Sequence, residues 1–281
     1  MTPRRRRGAR RNARTLARVL AVAGVLAFTL FPAYFMLVSA LSARPASGTE
    51  ALLPASVTLE NFRFVLAEAG FLRYLGNSLA VAALTVAGSS LLALLAAVAV
   101  ARFRFRLRTT VLVLVLTVQM VPLEALVIPL FLQVRDLRML NSLIGLSVVY
   151  IALALPFAVW MLRGFAAAVP AEVEEAAYID GCSWPRMFWS VLFPLVAPGL
   201  VATAVFSFIT AWNEFILALT FMNQSEKYTV AVGLRQFFGQ YTTDWGQVMA
   251  ASTVITLPVM AFFLLVQRGL VSGLTQGAVK Q

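Results

Sequence analysis

The 281-residue sequence contains no histidine and a single cysteine, Cys182. The absence of histidine removes the usual general base and a common metal ligand. One cysteine excludes an intrachain disulfide and any multi-cysteine metal site. The sequence also has no Gly-x-x-x-x-Gly-Lys-[Ser/Thr] loop, no Gly-x-Ser-x-Gly and no His-Glu-x-x-His. We therefore expect no catalytic residues, no metal and no cofactor bound by this chain.

Charge is scarce as well, at 12% of residues against 60% hydrophobic residues, whereas soluble domains carry about 25% charge. Several apolar runs exceed the roughly 20 residues that cross a bilayer. Because backbone polar groups must be satisfied inside the membrane, these runs predict helices. We expect an all-α membrane protein with a basic tail over 1–16, a six-span domain over 17–271 and a C-terminal tail over 272–281. The predicted spans are 17–41, 74–101, 108–132, 143–164, 193–222 and 247–271.

The placement of the 23 Lys and Arg residues predicts the orientation. By the positive-inside rule, the face with more of them is cytoplasmic. We expect both termini and the loop over 165–192 in the cytoplasm, and the loops over 42–73 and 223–246 outside. The richer face holds Arg4, Arg5, Arg6, Arg7, Arg10, Arg11, Arg14, Arg18, Arg102, Arg104, Arg106, Arg108, Arg163, Arg186, Arg268 and Lys280. The other face holds Arg44, Arg63, Arg73, Arg135, Arg138, Lys227 and Arg235.

The N-terminal tail has two interpretations. We favour a disordered anchor that sets topology, over a nucleic-acid contact made by a run of like charge, and we expect no nucleic-acid partner. The first span ends near Ala40-Leu41-Ser42-Ala43, which resembles a signal-peptide cleavage site. Its apolar core of about 23 residues exceeds the 7–15 of a signal peptide, so we predict an uncleaved span.

A polar segment over Pro170–Pro194 separates two apolar blocks and holds four of the twelve acidic residues, Glu172, Glu174, Glu175 and Asp180. Pro170 suits the first turn of a helix, and Gly181 suits the left-handed position after its end. Ser183 can cap a second helix over about 184–192, and Pro194 is expected to break the chain before the fifth span. We interpret this helix–turn–helix as a docking element, the alternative being an ordinary capped loop.

The spacing of this segment is specific. Glu175-Ala176-Ala177, Asp180-Gly181, Phe188, Val191 and Phe193-Pro194 resemble the cytoplasmic loop of bacterial ABC importer permeases, in which Glu-Ala-Ala and Asp-Gly precede Ile-x-Leu-Pro. Val191 and Phe193 depart from that motif in size only, and Cys182 stands where the family usually has Ala. Further similarity, to the second permease of the maltose-type carbohydrate branch, lies in Leu53-Pro54, Thr58–Phe62, Asn77–Leu79, Val121-Pro122, Ile128–Leu130, Ala211–Phe215 and Gly269–Lys280.

The resemblance implies a type I importer permease with six transmembrane helices in a bacterial cell membrane, contacting lipid. It implies four kinds of subunit: this permease, a second homologous permease, two ATP-binding subunits that use ATP and Mg²⁺, and an external solute-binding protein. The imported solute would be a sugar or oligosaccharide. The polar segment would be the coupling helix, with Glu175 and Asp180 contacting the ATPase and Gly181 permitting the turn. The implied ATPase-docking residues are Glu174, Glu175, Ala176, Ala177, Asp180 and Gly181.

Ionisable residues inside a span usually face protein or water. Ser207, Thr210 and Glu214 fall on one helical face of the fifth span. Glu124 lies between Pro122 and Pro129 in the third span. These residues are interpreted as a polar lining for a hydroxylated substrate, as packing contacts between helices, or as contacts with the binding protein at the outer mouth. The transport-path candidates are Gln119, Glu124, Ser207, Thr210, Asn213 and Glu214. In the second span Ser89, Ala93 and Ala97 form a close-packing face.

Other functions stay open. An ion-coupled secondary transporter would need more charge within the membrane and often shows inverted halves, and a membrane enzyme would need a polar catalytic cluster. A permease of another ABC branch, for amino acids or metals, shares the loop but less of the fifth span and tail. An ABC importer permease for glycerol-phosphate or another polar solute is the main alternative, because glycerol-phosphate-type importers of the carbohydrate branch look similar.

Overall fold

The computed structural model describes residues 3–43, 56–239 and 243–278. Arg44, Leu53-Pro54, Lys280 and the last three residues of the predicted C-terminal tail lie outside them. The α-helices are α1 Pro3–Ala40, α2 Glu60–Arg63, α3 Phe71–Arg102, α4 Arg108–Val118, α5 Leu123–Asp136, α6 Leu143–Ala168, α7 Ala171–Ile179, α8 Trp184–Met187, α9 Phe193–Asn213, α10 Ile216–Phe221, α11 Val230–Leu234 and α12 Trp245–Ala278. π-Helical turns occupy Phe64–Glu68 and Phe188–Leu192, and 3₁₀ turns occupy Ser225–Lys227 and Arg235–Phe237.

Within the part of the chain that the structure describes, five helical stretches are long and apolar enough to cross a membrane, and a sixth crossing is counted if α4 and α5 together form one span. The all-α fold of a multi-spanning membrane protein is therefore confirmed. The five stretches are Thr15–Ala40, Phe71–Arg102, Leu143–Ala168, Trp184–Asn213 and Trp245–Gln267.

The first span begins earlier than predicted. The sequence predicts a disordered tail over 1–16, whereas α1 is helical from Pro3. Arginine and alanine are both good helix formers, and extending an existing helix is easier than starting one. At the other end of the chain, α12 exceeds the predicted span 247–271 at both ends, reaching Trp245 and Ala278.

The third span, predicted over 108–132, is divided between two helices. It consists of α4 and α5, which are bent by 101° across a break of four residues or fewer. Pro122 stands at the break in an extended conformation, with φ −60° and ψ 135°. Proline disfavours a helical conformation in the residue before it, which explains why α4 cannot continue through Val121.

The fifth span also differs from the prediction at both ends. It does not start after a break at Pro194, because helical structure runs from Trp184 to Asn213. The π-helical turn at Phe188–Leu192 accommodates the proline, and the Phe193 N–H donates to the Phe188 carbonyl. At the other end α9 stops at Asn213 rather than at residue 222, because Glu214 is extended, with ψ 127°.

The chain divides into two compact units, one formed by Met1–Ala69 with Phe237–Val254 and the other by Gly70–Gln236 with Ile255–Gln281. In the first unit, the Asn61 side-chain amide donates to the Ala40 carbonyl at 2.8 Å and to the Ser42 carbonyl at 3.1 Å. A Cβ at Gly246 would lie 2.7 Å from Asn61 Nδ2. This asparagine therefore holds the end of α1, and a side chain at Gly246 would have to displace its amide.

The core of the second unit is formed by α3, α6 and α9. Ser89, Ala93 and Ala97 on α3 are fully buried, so the predicted close-packing face is confirmed. The Ser89 hydroxyl donates to the Ser207 hydroxyl of α9 at 2.9 Å. On α9, a Cβ at Gly199 would overlap the ring of Phe165. Small residues thus allow these three helices to approach closely.

Candidate functional site

The predicted docking element consists of α7, a turn and α8. Pro170 precedes α7 as its N-cap, one position earlier than predicted. Gly181 has a φ of +80°, as predicted for a glycine after a helix end. Its N–H donates to the Tyr178 carbonyl at 3.0 Å, and the Cys182 N–H donates to the Ala177 carbonyl at 2.9 Å. Ser183 is the N-cap of α8, but its side chain makes no capping hydrogen bond.

The residues expected to dock separate into two groups. Glu175, Ala176, Asp180 and Gly181 are exposed. Ala177 is buried among apolar residues that include Met187 and Phe188, so its side chain is not exposed for the docking contact expected of it. Beside the exposed group lies Ile179, 87% exposed, which the sequence argument missed. Ile179 is a single aliphatic residue at the end of a helix, so no hydrophobic periodicity in the sequence indicates that it is exposed for docking.

Glu174 is also directed into the protein rather than outward. Its Oε1 lies 2.5 Å from Nε of Arg102, the last residue of α3, and the two side chains are 14% and 19% exposed. Nη2 of Arg102 donates to the Val169 carbonyl at 2.9 Å. Arg102 therefore ties the start of α7 to the end of α3, and it fixes the docking element to the helical core.

We expect the Arg102–Glu174 pair to contribute to stability as a unit. Replacing either residue alone, with Arg102→Met or Glu174→Gln, leaves a mostly buried polar group without its partner and should cost about 1–3 kcal/mol of unfolding free energy. The double variant should cost less than the sum of the two. Thermal unfolding of the purified protein in detergent measures this coupling, and losses that add to within about 0.5 kcal/mol would show that the pair does not interact.

A cavity of about 180 Å³ lies inside the second unit. It is bordered by α3, the bend between α4 and α5, α6 and α9. Four of the transport-path candidates line it, namely Gln119, Ser207, Thr210 and Glu214. Thr85 and Tyr150 line it as well, and neither was identified from sequence. Thr85 precedes Ser89 by four residues, so the interval that identified the close-packing face could have been extended to it.

Glu214 lines this cavity from a different position than predicted, since it follows α9 instead of lying within it. Its Oε1 accepts from the Leu217 N–H at 2.8 Å, and its Oε2 accepts from the Ala218 N–H at 3.0 Å and from the Tyr150 hydroxyl. A carboxylate is well placed there, because the first N–H groups of a helix are free and carry partial positive charge. Glu214 therefore stabilises the start of α10 and links it to α6.

The other candidates have ordinary helical roles. The Thr210 hydroxyl donates to the Phe206 carbonyl and the Asn213 amide to the Ile209 carbonyl, both at 2.9 Å. Neither Asn213 nor Glu124, in the first turn of α5, lines the cavity. Across the described residues, no group of three or more His, Cys, Asp or Glu side chains is arranged to hold a metal ion.

Residues 89–276 match the family described as binding-protein-dependent transport system inner membrane component. The chain is 41% identical over 255 residues to the diacetylchitobiose uptake system permease protein DasC of Streptomyces coelicolor, covering 89% of this chain and 92% of that protein. It is 36% identical to the trehalose/maltose transport system permease protein MalG of Thermococcus litoralis, covering 94% and 98%. It is 35% identical to the trehalose transport system permease protein SugB of Mycobacterium tuberculosis, covering 91% and 94%.

A solved structure shares the fold. It is a bacterial ABC transporter involved in the import of the acidic polysaccharide alginate, and the TM-score is 0.77 over 92% of this chain and 96% of that chain. The two sequences are 20% identical. The chain therefore has the type I permease fold.

Proposed function

This chain belongs to the family of binding-protein-dependent transport system inner membrane components, and we propose that it is the permease subunit of an ATP-driven importer of a sugar or oligosaccharide. The observation that carries the proposal is the match, along nearly the whole chain, to permeases named for diacetylchitobiose, trehalose and trehalose/maltose transport. Relatives of this kind are transporter subunits rather than enzymes. The protein is accordingly a multi-pass membrane component that works with other ABC subunits.

The partners follow from what the chain contains and lacks. It has no nucleotide-binding loop, so ATP and Mg²⁺ would be used by two separate ATP-binding subunits. The docking element would face them in the cytoplasm, on the same side as both termini, with Glu175, Ile179 and Asp180 in contact. A second homologous permease would complete the path through the bacterial cell membrane. A solute-binding protein outside would deliver the sugar.

The internal anchoring of the docking element supports a mechanical role. When ATP closes the partner dimer, a rigid docked element moves with it. The Arg102–Glu174 pair and the Arg102–Val169 hydrogen bond connect that element to α3. Further along α3, Ser89 bonds to α9 and Thr85 borders the cavity. ATP binding would thereby shift the equilibrium between inward-open and outward-open arrangements of the helices that surround the cavity.

Reconstitution tests this function directly. The chain should be co-expressed with a second permease, an ATPase and a solute-binding protein of the same transporter class from the same genome, and the purified complex placed in liposomes. ATP-dependent uptake of labelled diacetylchitobiose, trehalose or maltose is expected. Uptake of glycerol 3-phosphate with none of these sugars would indicate the other polar-solute branch. Uptake driven by an ion gradient without the ATPase would indicate a secondary transporter.

A further inference from the structure

We propose that residues 103–108, with the sequence Phe-Arg-Phe-Arg-Leu-Arg, bind the headgroups of anionic phospholipids at the membrane surface. This segment, the basic turn, joins α3 to α4. The proposal goes beyond the transport function, because it assigns a lipid to a segment that solute uptake does not explain. It holds whichever solute the transporter carries.

The basic turn is confined to the membrane surface by the helices on either side of it. α3 is long and apolar enough to cross a membrane, and α4 with α5 is counted as a further crossing. The Phe103 N–H donates to the Ala99 carbonyl at 3.0 Å, and the Arg108 N–H donates to the Phe105 carbonyl at 3.2 Å. Because a connection this short cannot extend far from the bilayer, its side chains lie at the level of the headgroups.

Charged and apolar side chains alternate along the basic turn, and both kinds are exposed. The apolar side chains are between 41% and 61% exposed, namely those of Phe103, Phe105 and Leu107. Arg104 and Arg106 are exposed as well, and Arg108 is half-buried. At a membrane surface, apolar side chains enter the acyl boundary while guanidinium groups remain among the phosphates. The alternation therefore suits a lipid surface better than water alone.

The arginines of the basic turn have no acidic partner within the part of the chain that the structure describes. The ion pairs found there join Arg102 to Glu174 and Arg135 to Asp136. The three positive charges at 104, 106 and 108 are thus available for an anion from outside the chain. Guanidinium groups form paired hydrogen bonds with phosphate, and each basic residue near an anionic membrane surface adds to the attraction. Phospholipid phosphates are the anions that occur at this level.

An aromatic–cation pair on α6 lies on the same side of the protein. α6 leads directly into the docking element, to which Arg102 ties the end of α3. Near that end of α6, the Arg163 guanidinium lies 5.5 Å from the centroid of the Trp160 ring, and Trp160 is 41% exposed. Tryptophan and arginine anchor helices at the membrane–water interface. The pair therefore indicates that headgroups surround this end of α6, as we propose for the basic turn.

Quenching of a fluorophore on the basic turn tests the lipid contact. Cys182 is the only cysteine of the chain, so Cys182→Ala with Leu107→Cys leaves one labelling site and keeps both phenylalanines. The labelled chain is assembled with cysteine-free partner subunits in phosphatidylethanolamine liposomes, which contain either spin-labelled phosphatidylglycerol or spin-labelled phosphatidylcholine at the same mole fraction. We expect phosphatidylglycerol to associate about three- to tenfold more strongly than phosphatidylcholine, as measured by the two quenching constants.

Two pairs of substitutions separate charge from structure. Arg104→Gln with Arg106→Gln removes two exposed charges and should bring the ratio of the two quenching constants close to one, with thermal unfolding unchanged. Arg104→Lys with Arg106→Lys keeps the charges and should retain most of the preference for phosphatidylglycerol. A ratio that survives the glutamine substitutions overturns the proposal, because the preference would then arise from charges elsewhere, such as the N-terminal tail.

Ile144→Cys, again with Cys182→Ala, is the matched control position. Ile144 is 63% exposed at the start of α6, and no Lys or Arg lies within five residues of it in the chain. The two spin-labelled lipids should quench a fluorophore there equally. Equal quenching at residue 107 as well would overturn the proposal. Quenching at residue 144 but by neither lipid at residue 107 would also overturn it, and would show that a partner subunit covers the basic turn.

Discussion

Glu175→Lys is expected to reduce sugar uptake by at least about tenfold while the complex continues to hydrolyse ATP. Glu175 is exposed on α7, so reversing its charge should not disturb the fold of this chain. If the partner presents a basic surface, a lysine there places like charges together, which costs several kcal/mol at an interface. The measurement is uptake and ATP hydrolysis in the same liposomes, expressed as a ratio.

Two further variants isolate the effect of charge at the docking element. Glu175→Gln removes the charge without reversing it and should give an intermediate ratio. Glu68→Lys makes the same reversal at another exposed acidic residue, on the loop predicted to lie outside, and should leave the ratio at the wild-type value. Normal uptake by correctly inserted Glu175→Lys protein would refute the role of Glu175 as a contact with the ATPase.

Glu214→Ala is expected to lower both stability and transport. The substitution removes the acceptor of the Leu217 and Ala218 N–H groups and of the Tyr150 hydroxyl. Losing charge-assisted bonds at a helix start should cost about 2–4 kcal/mol. Thermal unfolding in detergent and uptake in liposomes should therefore decline together. This places Glu214 closer to the packing interpretation than to solute binding.

Graded replacements of the same group separate its contacts. Glu214→Gln retains one acceptor oxygen and should lose roughly half as much stability, whereas Tyr150→Phe removes one donor and should lose about 1 kcal/mol. Full stability in Glu214→Ala combined with lost uptake would instead mean that the carboxylate contacts the solute directly.

Local features of this protein are readable from its sequence because their causes are local. Hydrophobic runs longer than a bilayer is thick predict membrane helices wherever they occur. Gly181 marks the end of α7 because its left-handed conformation, at φ +80°, is easily adopted only by glycine. The burial of Ser89, Ala93 and Ala97 could be predicted because small residues spaced four positions apart lie on one face of a helix. Each of these inferences needs no knowledge of the rest of the fold.

Contacts between distant segments could not be found in this way. Arg102 was counted only as a charge that sets topology, because nothing near it in the chain indicates Glu174 as a partner. Tyr150 is inconspicuous until Glu214 leaves the helix and turns toward it. The prediction that Ser207, Thr210 and Glu214 share one helical face also assumed that the helix continues through residue 214. The helix instead ends before Glu214, because the Glu214 carboxylate is stabilised by accepting hydrogen bonds from the free N–H groups at the start of the next helix.

The π-helical turn at Phe188–Leu192 determines which way the side chains of the fifth span face. An α-helix advances about 100° per residue. One additional residue in the π-helical turn therefore rotates the side chains of α9 by about that angle relative to those of α8. Upstream of the turn lies the docking element, and downstream lie Ser207 and the cavity. An ordinary α-helical turn would direct Ser207 about 100° away from Ser89 with the docking element held in place. The extra residue therefore acts as a rotational offset that lets one helix meet two partners.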